Sequence, residues 1–180
     1  YQWRDDGRWE SINHHLLMQA REVAGREASP SAGVIDSQSV KTTEAGGPRG
    51  FDAGKKINGR KRHILTDTSG LLVGAVVHAA DIQDRDGAPS LLSSIRSAFP
   101  WLRHVFADGG YAGEKLQSAM EKTNGPVIEI VKRPDAVTGF VVIALAFADA
   151  DGSLPAVLGW VVFVMPAGFG ALAFLFVARF

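Results

Sequence analysis

Ala32-Gly33-Val34-Ile35-Asp36-Ser37-Gln38-Ser39-Val40-Lys41 is the stretch on which the reading of this chain turns. Val34, Ile35 and Val40 are β-branched. Ser29-Pro30-Ser31 before the run and Thr42-Thr43-Glu44-Ala45-Gly46-Gly47 after it supply breakers, so the segment reads as a strand with an acid inside it. An ionised carboxylate is seldom buried without a partner or a metal ion. A second segment repeats the design: Trp101-Leu102-Arg103-His104-Val105-Phe106-Ala107-Asp108 ends on an acid, and Gly109-Gly110-Tyr111 lets the backbone turn beside it. Two strands each deliver an aspartate, and a divalent metal ion is the simplest ligand for both. The alternative reading of either aspartate is a turn or cap residue at a strand end.

The length of 180 residues fits about one domain, and 46% hydrophobic content is enough for a core. Net charge is zero but unevenly spread. Between residues 41 and 62, Lys41, Arg49, Lys55, Lys56, Arg60, Lys61 and Arg62 face only Glu44 and Asp52, whereas residues 144–180 carry only Asp149, Asp151 and Arg179. The absence of cysteine excludes disulfides and thiolate metal sites and fits a cytoplasmic protein. The polar start, Tyr1-Gln2-Trp3-Arg4, lacks the apolar core of a signal peptide, and without an initiator methionine it reads as the interior of a longer frame.

Working outward from the first strand, Ile12, Leu16, Leu17, Ala20, Val23 and Ala24 recur at helical spacing. They predict an amphipathic helix over residues 10–24, capped by Ser11 and stopped by Gly25, with Trp3 and Trp9 packing its entry and His14 and His15 exposed. Residues 46–63 read as a glycine-rich basic loop. It lacks the Gly-Lys-Ser/Thr ending of a nucleotide-binding P-loop, and its charge suits a phosphate backbone. Residues 62–67 and 71–78 flank Thr68-Ser69-Gly70 as a hairpin; helices follow over residues 88–98 and 113–122, and a last strand over residues 127–131. This order implies an α/β fold, a mixed sheet with helical cover. Asp81, Asp84 and Asp86 form an acidic cluster of which helix capping explains at least one member, and no metal is assigned to them; His63, His78 and His104 are read as packing or hydrogen-bonding residues, not ligands.

Four runs resemble a known family: residues 33–41, Asn58-Gly59-Arg60-Lys61-Arg62-His63, His78-Ala79-Ala80-Asp81-Ile82-Gln83-Asp84-Arg85-Asp86, and Phe106-Ala107-Asp108-Gly109-Gly110-Tyr111. They look like bacterial insertion-sequence transposases with a DDE catalytic domain, most closely the insertion-sequence-five superfamily. The resemblance covers residues 1–143. It implies a ribonuclease-H-like fold whose five-stranded mixed sheet sets its first and fourth strands side by side. Asp36 and Asp108 would be the first two catalytic acids and would hold Mg²⁺ or Mn²⁺ with a glutamate from a later helix. The implied partner is DNA, transposon end and target, cut and joined by a homo-oligomer. Lys41, Lys55, Lys56, Arg60, Lys61 and Arg62 would contact its phosphates. The implied domains are a helical lead-in over residues 1–31, a partial catalytic domain over 32–143 and an apolar tail over 144–180.

The match stops where the family would place a basic, tryptophan-containing helix with the third acid, because no glutamate follows Glu129. Asp149 and Asp151 are the only acids near that place. Residues 154–178 contain no charge, enough for a membrane-spanning helix of about 20 residues, although Pro155 and Pro166 interrupt it. Three functions are therefore weighed: a degenerate transposase copy, shifted in frame or fused near residue 143; a membrane-associated fusion whose tail is the working part; and a nuclease relying on two aspartates.

Overall fold

The computed structural model of the chain describes residues 2–42, 46–131, 141–145, 161–165 and 173–176. Two compact units divide it, Tyr1–Lys132 and Arg133–Phe180.

The first unit opens with α1 (Gln2–Asp5) and α2 (Arg8–Val23). The expected Ser11 cap is not used. The chain enters α2 through Gly7 in the left-handed region, φ 74°, which places the helix start at Arg8 and leaves Ser11 inside its first turns. Trp3 and Trp9 pack on each other at this entry, ring centroids 5.6 Å apart. Only Leu17 and Arg21 of α2 are buried, while Ile12, Leu16 and Val23 face outward. His15 is exposed as expected, but His14 is half-buried with its ring 4.9 Å from that of Phe99.

Strand β1 (Ala32–Lys41) lies at the centre of a sheet with β2 (Gly50–Asp52), β3 (Ile57–Asp67), β4 (Leu72–Ala79), β5 (His104–Ala107) and β6 (Val127–Ile130). β1 runs antiparallel to β3 on one side and parallel to β5 on the other, and β5 is parallel to β6. The far edge of β3 is shared: β2 pairs with residues 57–59 and β4 with residues 60–66. Leaving out the short β2, the order β4-β3-β1-β5-β6 is the ribonuclease-H-like sheet, with its first and fourth strands adjacent.

The expected basic loop over residues 46–63 is largely sheet. β3 begins at Ile57 because it pairs with β1 as far as Lys41, opposite Gly59. A Cβ on Gly59 would stand 1.9 Å from the Val40 carbonyl oxygen, so the close strand approach depends on glycine there. The hairpin between β3 and β4 turns at Gly70, φ 80°, as expected.

Helix α3 (Asp84–Ile95) starts earlier than its apolar residues suggest, since Asp84 and Asp86 suit the positive end of the helix dipole. With α4 (Glu114–Lys122) it covers one face of the sheet, where Ile35, Leu65, Leu91, Val105, Leu116 and Met120 form the core. An ion pair joins α2 to this layer: buried Arg21 pairs with buried Asp67, whose other oxygen accepts the Ser69 and Leu71 amides at 2.8 Å.

In the second unit, β7 (Val141–Leu145), β8 (Val161–Met165) and β9 (Ala173–Phe176) form an antiparallel three-stranded sheet. The described residues of the stretch 154–178 are therefore strands, not the continuous helix that its apolar composition suggested. Among the described residues no helix is long and apolar enough to cross a membrane. Asp149 and Asp151 lie outside the described residues.

Candidate active site

The parallel pairing of β1 with β5 sets the geometry. Val34 is in register with Phe106; Asp36 lies two residues beyond Val34 in β1 and Asp108 two beyond Phe106, just past the end of β5, so alternation sends both to one face, and the charge of Asp108 acts on Asp36. Asp36 lies within β1, half-buried; Asp108 follows the last residue of β5 and begins a 3₁₀ turn, Gly109–Tyr111. The Gly110 amide donates to Asp108 Oδ1 at 2.9 Å, which fixes that carboxylate at the mouth of the turn.

Both acids are harder to ionise than usual. Burial pushes Asp36 up to about 6, and the neighbouring charges of Asp108 and Asp84 add to the shift, against the Ser37 amide and the Lys55 ammonium. Burial also raises Asp108, followed by Asp84, against the Gly110 amide and Lys55. Two crowded, partly desolvated carboxylates are the arrangement that a bound cation relieves.

The chemistry of the donors fits Mg²⁺ or Mn²⁺, which one or two carboxylates hold together with water and substrate phosphates. Among the described residues no set of three or more histidine, aspartate or glutamate side chains is grouped to cage a metal ion unaided. Asp84 is a further acid whose charge acts on both aspartates, but its Oδ1 accepts from the Lys61 ammonium at 2.8 Å. It is held by a cation of the chain itself.

The six basic residues separate into three groups. Lys41, Lys56 and Arg62 are exposed, with the Arg62 guanidinium donating to Gln38. Lys55 and Arg60 are turned onto the protein: Lys55 Nζ donates to the Ser37 carbonyl at 2.7 Å and to its hydroxyl at 3.2 Å, and the Arg60 guanidinium donates to the carbonyls of Gly46 and Pro48. Lys61 departs from the expectation altogether. It is 4% exposed and lies between Asp84 at 2.8 Å and Asp52 at 3.3 Å, so it braces the fold and presents nothing to a phosphate. Asp52 is in turn held at about 2: burial raises it, but the Ser39 hydroxyl, the Lys55 amide and Lys61 outweigh that.

Sequence reasoning missed this network; for a second one it read His63 and His78 as packing or hydrogen-bonding residues without their partners. Fully buried His63 places Nδ1 3.0 Å from the Tyr111 hydroxyl and stacks on His78 at 4.7 Å between ring centroids. The signal for both was the two-residue period of β3: Gly59, Lys61, His63, Leu65 and Asp67 are in phase with a core leucine and must share its face.

Residues 27–139 match the family model described as Transposase DDE domain. No curated protein matches the chain. Among solved structures, a chain of the simian T-cell lymphotropic virus intasome in complex with PP2A regulatory subunit B56 gamma is similar at 17% identity and a TM-score of 0.41, over 59% of this chain and 33% of that one. A chain of the Mos1 transposase paired-end complex with left transposon end is similar at 10% identity and a TM-score of 0.35, over 67% of this chain and 40% of that one. The chain thus spans between a third and two fifths of the length of these two structural relatives.

Proposed function

Because the chain belongs to the family of transposase DDE domains, we propose that it is a DNA transposase domain whose metal-binding acids are Asp36 and Asp108. The observation that supports this reading is the parallel pairing of β1 with β5, whose register, continued two residues beyond Val34 and Phe106, runs through Asp36 and Asp108. A bound Mg²⁺ or Mn²⁺ ion would supply positive charge to the attacking and leaving oxygens of a phosphodiester. The chain's own residues do the rest. Asp36 and Asp108 fix the ion's position, the Gly110 amide orients Asp108, and Lys55, tethered to Ser37, tempers the negative charge while the site is metal-free.

The exposed cations Lys41, Lys56 and Arg62 are the candidate phosphate contacts, giving position along a duplex with no sequence readout. The substrates would be a transposon end and target DNA in the cytoplasm, processed by an oligomer. No glutamate lies among residues 130–180, so the third acid expected by resemblance is not assigned to a residue of this sequence.

Titrating duplex DNA against the full chain at increasing salt tests the reading. Affinity should fall steeply as salt rises, because phosphate neutralisation releases counterions. Binding that is absent, or flat with salt, sinks it.

A further inference from the structure

We propose that Tyr111 is a positioning residue for the Asp36–Asp108 pair, acting through its hydrogen bond to His63, the cross-strand partner of the residue after Asp36. The proposal rests on the metal-site reading of those two aspartates. Tyr111 closes the 3₁₀ turn that Asp108 opens, and its amide donates to the Asp108 carbonyl at 3.2 Å. Its side chain runs inward to 1% exposure and reaches the two antiparallel strands on the far side of Asp36. There its hydroxyl lies 3.0 Å from His63 Nδ1. Ser37 directly follows Asp36 and is the cross-strand partner of His63. One phenol therefore ties the turn that carries Asp108 to the strand paired with the one that carries Asp36.

The Lys55 ammonium only donates, so the Ser37 hydroxyl, 3.2 Å away, accepts from it. We assign the Tyr111 proton to the bond with His63 Nδ1, the unprotonated ring nitrogen in this arrangement. That leaves the proton on His63 Nε2, a buried atom without a partner, facing Gly87. Burial keeps the His63 ring neutral at ordinary pH, which preserves the acceptor. A phenylalanine would fill the same space without the hydroxyl that bonds His63.

Tyr111→Phe tests this, with Mn²⁺ binding by calorimetry as the readout on the full chain. Wild type and Asp36→Asn are measured first. Binding by wild type that is lost in Asp36→Asn is the required baseline; wild type that binds no Mn²⁺, or binds it independently of Asp36, overturns the metal-site reading and this inference with it. Given the baseline, Tyr111→Phe should weaken Mn²⁺ binding about tenfold, the low end of the loss when a supporting partner is removed, in a protein that still folds without metal. His63→Asn, which keeps an acceptor near the place of Nδ1, should bind Mn²⁺ more tightly than His63→Leu. In wild type, ¹⁵N spectra should show His63 as the Nε2–H tautomer. Equal Mn²⁺ affinity in wild type and Tyr111→Phe would overturn the positioning role and leave the metal site standing.

Discussion

Arg21 and Asp67 form an ion pair buried from solvent, one from the helix that precedes the sheet and the other from the end of its longest strand. The guanidinium also donates through Nε to the Glu27 carbonyl at 2.8 Å, so it fastens both the hairpin and the connection into β1. Removing one partner leaves a buried charge unpaired. Arg21→Ala should therefore cost about 3–5 kcal/mol in chemical denaturation, and an Arg21→Met/Asp67→Leu double replacement should cost less than the single change. A single variant as stable as wild type would mean that the pair is not buried in solution.

Asp36 should make the metal-free protein less stable than its Asn variant. Its folded-state pKa, about 6, lies above the ordinary 3.8, so between those values the folded chain holds the extra proton and stability falls as pH rises. Above pH 6 the full penalty is present. Asp36→Asn should then gain on the order of 2 kcal/mol at pH 7.5, and adding Mn²⁺ should stabilise wild type but not the variant. His63 works in the opposite sense. Burial first, then the charges of His78, Lys61 and Lys55, against Asp84, lower it from 6.5 to about 4, so its contribution is complete above 6.5 and is lost as pH falls toward 4. The two slopes offset each other in wild type between pH 4 and 6. In Asp36→Asn the His63 slope should emerge as stability that climbs with pH, measured by urea midpoints across that range.

The strand around Asp36 and the turn after Asp108 were legible because each is local: β-branched residues between breakers, and an acid followed by two glycines. Their adjacency was not, since it depends on a parallel pairing across some 70 residues that no local pattern encodes. Lys61 shows the other limit. Counted within a basic run it looks like a phosphate contact, but the run crosses a strand, and alternation sends Arg60 and Arg62 to one face and Lys61 to the face of Leu65. Composition gave the charge, and only the secondary structure gave its direction.

That division predicts two distinct outcomes within one basic run. Lys41→Ala, Lys56→Ala and Arg62→Ala should each leave folding intact, weaken DNA binding, and reduce the slope of log affinity against log salt by about 1 for each phosphate no longer neutralised. Lys61→Ala should instead destabilise the chain by about 3 kcal/mol or more, because Asp52 and Asp84 lose the cation between them. A stable Lys61→Ala protein with a reduced salt slope would return Lys61 to the DNA-binding face.

Gly87 meets a constraint that its place in a helix would not suggest. It lies in the first turns of α3, where alanine is ordinarily the better residue by about 1 kcal/mol. Yet a Cβ there would stand 2.3 Å from His63 Nε2 and 2.6 Å from His78 Nε2, and His63 is fully enclosed by the sheet, Tyr111 and the stacked ring of His78. The imidazoles have nowhere to retreat without breaking the bond to Tyr111. Gly87→Ala should therefore lower stability by about 1–3 kcal/mol despite its better helix propensity, and shift the His63 ¹⁵N resonances. Gly46→Ala is the matched control, since a Cβ there meets nothing within 4 Å, and it should be close to neutral. If Gly87→Ala proves as stable as that control, the helix start and the histidine pair are further apart in solution than these distances require.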